Sequence, residues 1–107
     1  MKNIAITGIA GFIGSNLAEY LLNKDYKVMG IDDLSYGVKE QVPRSVEFYK
    51  MDVCSEDIYE LFDDVDTVFH FAAKNCISDC QLDPVETAKI NIIGTVNVLE
   101  ACKRKNV

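Results

Sequence analysis

The sequence lacks the features that mark membrane, secreted and nucleic-acid-binding proteins. No apolar run approaches the ~20 residues that a membrane-spanning helix needs. The N-terminal segment, starting Met1-Lys2-Asn3, has neither the apolar stretch nor the cleavage site of a signal peptide. Positive charge is scarce: 11 Lys and Arg residues face 17 Asp and Glu residues, for a net charge of −6, which disfavours nonspecific binding to nucleic acid or acidic lipid. We therefore expect a cytoplasmic protein with no nucleic-acid and no membrane partner.

Patterns typical of metal sites are also absent. The four cysteines form no CxxC pair, and the single histidine, His70, lies inside the apolar run TVFHFA at residues 67–72. Zinc binding remains an alternative, but reduced thiols that fill space are the expected state of such cysteines in a cytosolic protein. We therefore predict that the four cysteines bind no metal; they are Cys54, Cys76, Cys80 and Cys102.

A glycine-rich turn is the most informative stretch present. The sequence TGIAGFIG at residues 7–14 follows an apolar run and leads into a helical pattern. Gly8 would permit a tight turn, Gly11 would let a phosphate approach the backbone, and Gly14 would let the helix lie close to the strand. The free amides at the helix start predict a pyrophosphate site. A plain glycine-rich turn is the alternative, because the spacing is GxxGxxG rather than GxGxxG.

An acidic pair follows the second predicted strand. The predicted strand 27–31 is apolar after Lys27 and runs into Asp32-Asp33. This pair lies roughly 20 residues after the glycine turn, where a carboxylate can accept hydrogen bonds from the adenosine ribose. The same carboxylate would repel a 2′-phosphate, so Asp32 favours NAD over NADP. The alternative is two solvated aspartates in a turn.

Alternating strand and helix patterns predict an α/β fold, a Rossmann-like parallel sheet of order 3-2-1-4 with flanking helices. Strands are expected at 3–7, 27–31, 46–51 and 66–71, and helices at 11–23, at a short segment capped by Ser55, and at 84–105. The intervening stretch 34–43 is predicted as a loop or a short helical piece, and 75–83 as a loop. Ligands of such sheets bind beyond the carboxyl ends of the strands, where the glycine turn, Asp32, Asp52 and Ala72-Ala73 fall.

The helices carry apolar stripes of different kinds. In the first helix the stripe is Ile13, Leu17 and Leu21. The last helix has two apolar faces, of which one should cover the sheet and the other should meet a partner. The first face is Val85, Ala88, Ile92, Thr95, Val96 and Leu99, and the second is Ile90, Ile93 and Ala101. We predict a homo-oligomer through residues 84–105.

The ordered set of motifs resembles the extended short-chain dehydrogenase/reductases, within them the NAD-dependent epimerase/dehydratase family that acts on nucleotide sugars. UDP-glucose 4-epimerase-like proteins are the most similar type. The resemblance covers essentially the whole chain, and it is carried by residues 7–15, 32–37, 52–53, 68–73 and 91–95.

The resemblance implies NAD as cofactor and a position along it for each matching residue. The pyrophosphate would lie at Gly8, Gly11, Phe12 and Ile13, next to Gly14. The adenine ribose would lie at Asp32, and that side would be lined by Asp33, Leu34, Ser35 and the rest of the segment to Gly37. The adenine would contact Asp52 and Val53, and the cofactor would run toward the nicotinamide along Phe71, Ala72, Ala73 and Lys74. Asn91 would serve the cofactor region or the backbone structure. The last helix would contribute to a dimer interface.

The chain departs from the family in two places. Cys80 stands where many members carry a serine, which puts in doubt a polar contact at that position. Family members also continue with a catalytic Tyr-xxx-Lys pair and a substrate domain, whereas this sequence stops at Val107. A Tyr-xxx-Lys string at Tyr20 and Lys24 lies too early in the chain, and we interpret it as chance.

We therefore expect residues 1–107 to be the NAD-binding portion of a nucleotide-sugar epimerase or dehydratase, truncated before its substrate domain and inactive alone. Such a portion would bind NAD, and the nucleotide sugar only in the intact enzyme. The alternatives are a non-catalytic Rossmann module that serves assembly or regulation, and one part of a split enzyme.

Overall fold

The computed structural model describes residues 2–107 as a parallel sheet covered by helices. The strands are β1 (Asn3–Thr7), β2 (Lys27–Asp32), β3 (Glu47–Lys50) and β4 (Thr67–His70). Their order is β3-β2-β1-β4, and every neighbouring pair is parallel. This confirms the predicted Rossmann-like fold and the strand order 3-2-1-4. The carboxyl ends of all four strands therefore meet at one edge of the sheet.

The central strand β1 is buried on both faces, which explains its short, apolar sequence. Ile4 and Ile6 point into one core together with Ala18 and Leu21 of α1 (Phe12–Asn23). Ala5 points into the other core, on the opposite face of the sheet, as the two-residue period of a strand requires.

The apolar stripe predicted for α1 begins at the wrong residue. Ile13 is 63% exposed, and the inner face of the helix starts at Gly14 and Ser15. A Cβ on Gly14 would lie 2.4 Å from the Gly8 carbonyl oxygen. The first turn therefore packs too closely on the glycine turn to admit a large side chain there, and Ile13 lies outside that contact.

The second face of the sheet is covered by a 3₁₀ helix (Glu56–Phe62) and by α4 (Gly94–Lys105). Ser55 caps the 3₁₀ helix, since its hydroxyl accepts a hydrogen bond from the Asp57 amide, as predicted. Phe62 is fully buried in this core. The predicted short helix therefore exists, with 3₁₀ geometry.

Residues 75–105 differ from the predicted loop and single long helix. The predicted loop 75–83 contains α2 (Ile77–Leu82). The following run consists of α3 (Pro84–Ala88), a π-helical segment (Lys89–Ile93) and α4. Pro84 does occupy the first turn, and the Asp83 side chain accepts from the Glu86 amide. The other predicted loop, 34–43, contains only a 3₁₀ turn (Lys39–Gln41).

The apolar faces assigned to residues 84–105 were also wrong. The inner face of α4 is Gly94, Val98 and Ala101, of which only Ala101 belonged to a predicted face. A Cβ on Gly94 would lie 3.0 Å from the Val53 side chain, so α4 approaches the sheet on the side that carries Gly94 and Ala101, where small residues permit close packing. The side chains left exposed are Val85, Ile92, Ile93, Val96 and Leu99.

The helices of residues 2–107 include none long and apolar enough to cross a bilayer. Tyr20 in α1 and Lys24, the residue that caps its C-terminus, are the pair that mimics a catalytic motif, and both are exposed. The Lys24 ammonium lies 5.6 Å from the centre of the Tyr20 ring. They lie on the surface of the helix and take no part in the strand-end edge.

Candidate functional site

A cleft of about 440 Å³ opens at the carboxyl ends of the strands. All of the predicted site residues line it except Leu34 and Asn91. The lining residues are Gly8, Gly11, Phe12, Ile13, Gly14, Asp32, Asp33, Ser35, Tyr36, Gly37, Met51, Asp52, Val53, Phe71, Ala72, Ala73, Lys74, Asn75 and Ile90. Segments distant in sequence thus meet at one site, at the switch point where parallel sheets bind ligands.

The three glycines of the turn have different surroundings. Gly8 has a φ of +72°, and a Cβ there would lie 2.8 Å from the Ala72 amide nitrogen. Gly14 contacts the Gly8 carbonyl as described above. A Cβ on Gly11 would meet only the Gly8 oxygen, at 3.4 Å. Gly8 and Gly14 are therefore required by the packing of the chain itself, whereas Gly11 leaves space open beside the cleft.

The amino end of α1 faces this space without a side-chain cap. Gly11 is the N-cap residue, and the first turn contains no acidic side chain. The first helical hydrogen bond runs from the Ser15 amide to the Gly11 carbonyl, at 3.0 Å. The amides of Phe12 and Ile13 precede it and have no intrahelical partner. Together with the helix dipole they give this end of the cleft a partial positive charge, which favours an anion.

The carboxylate of Asp32 is held in place by two backbone amides. One oxygen accepts from the Ala10 amide at 2.9 Å, and the other accepts from the Leu34 amide at 2.8 Å. Leu34 reaches this position with a φ of +63° and acts through its backbone, which explains its absence from the lining. A carboxylate has about four acceptor sites, so each Asp32 oxygen retains one for a ligand hydroxyl.

The loop after β2 is tied to the glycine turn. A Cβ on Gly37 would lie 2.6 Å from the Ala10 Cβ, and the Val38 amide donates to the Ala10 carbonyl at 3.1 Å. Within the loop, one oxygen of Asp33 accepts from both the amide and the hydroxyl of Ser35. This side of the cleft is therefore built before any ligand arrives.

Tyr36 joins the same loop to α2. Its hydroxyl donates to the Asp79 carboxylate at 2.9 Å, and this bond raises the pKa of Tyr36 to about 12. The phenol therefore stays protonated at neutral pH and serves as a donor.

The end of β3 supplies the next part of the lining. Asp52 is exposed and accepts from the Cys54 amide at 2.9 Å. Val53 is buried, and its carbonyl accepts from the Asn97 side chain at 2.7 Å. Asn97 thus connects this wall of the cleft to α4.

The end of β4 forms the floor of the cleft. The amides of Phe71 and Ala72 donate to the Thr7 hydroxyl at 3.0 and 3.1 Å. The side chain of Asn91 bonds the backbone of Lys74 twice, accepting from its amide at 2.8 Å and donating to its carbonyl at 2.9 Å. Asn91 therefore shapes the floor without lining it. Among residues 2–107, Lys74 is the one cation in the lining, beside three aspartates.

Sequence reasoning missed Met51, Asn75 and Ile90. Met51 and Asn75 adjoin residues that were predicted, so extending each strand-end segment by one position would have included them. Ile90 lies in the π-helical segment, and no local pattern announces that it reaches the cleft.

The part of the chain that the structure describes, residues 2–107, holds no cluster of three or more His, Cys, Asp or Glu arranged for a metal ion. Burial raises the pKa of the Cys54 and Cys102 thiols, which favours the protonated form. These two cysteines are therefore weak nucleophiles and weak metal ligands.

Comparison with known proteins gives consistent matches. A model of the NAD dependent epimerase/dehydratase family matches residues 4–107. The putative UDP-glucose 4-epimerase of Methanocaldococcus jannaschii is 35% identical over 106 residues, which are 97% of this chain and 35% of that protein.

Solved structures agree with this match. A crystal structure of UDP-glucose 4-epimerase with UDP-glucose, from Thermotoga maritima, superimposes with a TM-score of 0.95 at 35% identity, over 98% of this chain and 35% of that one. The UDP-glucose 4-epimerase of Thermus thermophilus in complex with NAD gives a TM-score of 0.91 at 34% identity, with the same coverage. The chain thus spans about a third of the length of these relatives.

Proposed function

Because the chain belongs to the NAD-dependent epimerase/dehydratase family, we propose that it is the NAD-binding portion of a nucleotide-sugar epimerase or dehydratase. The observation that carries this proposal is the cleft in which an uncapped helix N-terminus and an amide-held Asp32 lie on adjacent strand ends. The first is suited to a pyrophosphate and the second to a ribose. The similar Thermus protein is an NAD complex, which supports the same ligand here.

The residues of the cleft suit each part of NAD. The space beside Gly11 and the free amides of Phe12 and Ile13 would hold the pyrophosphate, and the Lys74 ammonium would offset its charge. The Asp32 carboxylate would accept from the adenosine ribose hydroxyls. When bound, NAD supplies reversible hydride exchange with a carbon of the substrate. The chain's own residues bind and orient the dinucleotide, and the rest of the intact enzyme would bring the nucleotide sugar to it.

We propose NAD rather than NADP as the preferred form. The hydrogen bonds from the Ala10 and Leu34 amides fix the Asp32 carboxylate in the cleft lining. A 2′-phosphate would meet its negative charge there. Asp33 adds a second carboxylate to the same lining.

The test is a calorimetric titration of the chain with NAD and with NADP, repeated on Asp32→Asn and Asp32→Ala. We expect saturable NAD binding, at least about tenfold weaker NADP binding, and a smaller preference in Asp32→Asn, which removes the charge and keeps the size. In Asp32→Ala the loss of NAD affinity should be greater, because both the Ala10 and the Leu34 amide lose their acceptor, whereas the single side-chain oxygen left in Asp32→Asn still accepts from one of them. Glu19→Gln, on the exposed side of α1, is the matched control and should bind as the parent does. Failure of a folded chain to bind NAD would refute the proposal.

We also propose that residues 84–105 mediate a homo-oligomer. The supporting observation is the set of exposed apolar side chains on α3, the π-helical segment and α4. Contiguous exposed apolar side chains of this kind mark interaction surfaces.

The same surface favours the second candidate function, a non-catalytic module that assembles through this face. Retained self-association without NAD binding would indicate the module, or a part of a split enzyme, instead of a cofactor portion.

A further inference from the structure

His70, the last residue of β4, connects β1 to α4 through hydrogen bonds of its ring. Its Nδ1 atom lies 2.6 Å from the Thr7 hydroxyl oxygen at the end of β1, and its Nε2 atom lies 3.0 Å from the Thr95 hydroxyl oxygen in α4. The ring is half-buried. Neither hydroxyl is bonded to His70 alone, and their other partners determine where the ring proton is.

The Thr95 end requires a proton on Nε2. The Thr95 hydroxyl donates its single hydrogen to the Asn91 carbonyl oxygen at 2.7 Å. It must therefore accept in its contact with His70, and the donor can only be an Nε2–H group.

The Thr7 end requires an unprotonated Nδ1. The Thr7 hydroxyl oxygen accepts from the Ala72 amide and shares the Phe71 amide with the Thr7 carbonyl oxygen, which lies 3.1 Å from the Phe71 nitrogen. These two contacts occupy both acceptor sites of the hydroxyl. Its hydrogen remains for His70, so Nδ1 is the acceptor. Two separate hydroxyls thus specify one ring state, the neutral Nε2–H tautomer.

The hydrogen bonds that join Thr7, His70 and Thr95 form a chain, which we call the relay. Both ends of the relay connect to the cleft floor. Through Thr7 it reaches the amides of Phe71 and Ala72. Through Thr95 it reaches the backbone of Asn91, whose side chain bonds the Lys74 backbone twice. The segment 71–74 is therefore held from β1 and from the C-terminal helices by one connected set of hydrogen bonds.

A second ring proton has no place in this arrangement. An imidazolium Nδ1–H would point at the Thr7 oxygen, which has no free acceptor site. The ring could keep that contact only if the Thr7 hydroxyl gave up the Ala72 amide or left the Phe71 amide to the Thr7 carbonyl alone.

Within residues 2–107, no charged group is placed to stabilise the imidazolium. The strand β1 carries no titratable side chain. In the C-terminal helices the nearest titratable residues along the chain are Lys89 and Glu100, six and five positions from Thr95, and on the cleft side of β4 it is Lys74. Burial alone lowers the pKa of His70.

We propose that His70 is a positioning residue for the dinucleotide: its neutral Nε2–H form holds the segment 71–74 in the binding shape, and its protonation loosens that segment and weakens NAD binding. The cofactor part of this inference rests on the function proposed above. The relay itself does not, and it can be tested without any ligand.

The first experiment is ¹⁵N NMR of the ring and of the Phe71 and Ala72 amides between pH 8 and pH 5. Because the chain contains one histidine, every imidazole signal belongs to His70. We expect Nε2 to carry the proton and Nδ1 to be the bare nitrogen at pH 8, and both amides to shift in step with the ring titration. The relay would be overturned by an Nδ1–H tautomer or a charged ring at pH 8. It would also be overturned if the chemical shifts of the two amides did not change as the ring titrates.

The second experiment is an NAD titration at pH 7.5 and pH 5.5. We expect the affinity of the parent chain to fall about three- to tenfold, the equivalent of one hydrogen bond. His70→Gln places a non-titrating amide donor near the Nε2 position and should remove this pH dependence. Thr95→Val should weaken NAD binding at pH 7.5 already, and Thr95→Ser, which keeps the hydroxyl, should restore it.

The two experiments separate the two ideas. Affinity that stays constant from pH 7.5 to 5.5 while the ring titrates would overturn the coupling and leave the NAD function standing. An absence of NAD binding at pH 7.5 would refute the NAD function and the cofactor part of the inference, whereas the NMR result would still decide the relay.

Discussion

Individual residues in the glycine turn have roles that their spacing does not reveal. A Cβ on Gly8 or on Gly14 would lie within 3 Å of backbone atoms, whereas a Cβ on Gly11 would not. The space that a phosphate would use is therefore the space that the protein itself leaves empty.

This difference predicts that alanine at Gly14 mainly lowers stability, whereas alanine at Gly11 mainly weakens NAD binding. Gly14→Ala should lower the free energy of unfolding by about 2 kcal/mol or more, because its Cβ would overlap the Gly8 carbonyl. Gly11→Ala should change it by less than about 1 kcal/mol while weakening NAD binding. Urea unfolding and calorimetry of both variants measure the two effects. Equal losses of stability would contradict the assigned roles.

The half-buried ring of His70 predicts a pH dependence of stability. Its folded pKa lies below the unfolded value of about 6.5, so the unfolded chain binds more protons in that interval. The stabilisation is complete above about pH 6.5 and is lost as the pH falls through the folded pKa. Urea midpoints at pH 7.5 and 5.5 should therefore differ less in His70→Gln than in the parent chain. The same difference in both proteins would count against this account.

At the scale of elements, α4 is attached to the cleft wall by polar contacts as well as by its apolar face. The Asn97 side chain donates to the Val53 carbonyl and to the Ser55 carbonyl, at 2.7 and 2.9 Å, and accepts from the Tyr59 hydroxyl. Both N–H donors of this side-chain amide and one of its two acceptor sites are therefore used. The helix thus holds the residues just after β3 in place.

Removing this amide should be costly. Asn97→Ala would leave two backbone carbonyls without their donors, and we expect a loss of about 2 kcal/mol in the free energy of unfolding. Asn16→Ala is the matched control, because the exposed Asn16 bonds only the Phe12 carbonyl of its own helix. Chemical denaturation should show little change for the control. A similarly small change for Asn97→Ala would show that apolar packing alone holds α4.

At the scale of the whole molecule, the exposed apolar residues of 84–105 are the feature least explained by a single copy. Leu99 is 63% exposed and Val96 is 57% exposed. The opposite side of α4 packs on the sheet through Val98 and Ala101, so the helix is apolar on two sides.

We expect the chain to sediment as a dimer or a higher oligomer at micromolar concentration. Val96→Glu combined with Leu99→Lys should shift it toward the monomer, because charges would then have to be buried at the contact. Tyr20→Glu is the control, since it places a charge at a comparably exposed aromatic on α1. A parent chain that sediments as a clean monomer would refute the oligomer.

The sequence predicted most of the fold and failed where local pattern and packing disagree. The strands, their order, α1 and the Ser55 cap were correct because each has a signal of its own, an apolar run or a capping residue. Ile13 was assigned inward because its spacing matches a helical stripe, whereas the glycine contact leaves it exposed. α2 was predicted as a loop because its polar residues show no apolar period.

The alternating strand and helix patterns of the sequence by themselves determined the parallel sheet, and residues 7–14 and 27–33 determined the glycine turn and the position of Asp32 at a strand end, since apolar runs and glycines act through local geometry. Only the tertiary structure decided which face of α4 is buried, because the helix packs closely through Gly94 and Ala101, small residues that give no strong apolar signal in the sequence. It also decided the state of His70. The partners that orient this ring, Thr7 and Thr95, come from β1 and α4, and only folding brings their hydroxyls within hydrogen-bond distance of one imidazole.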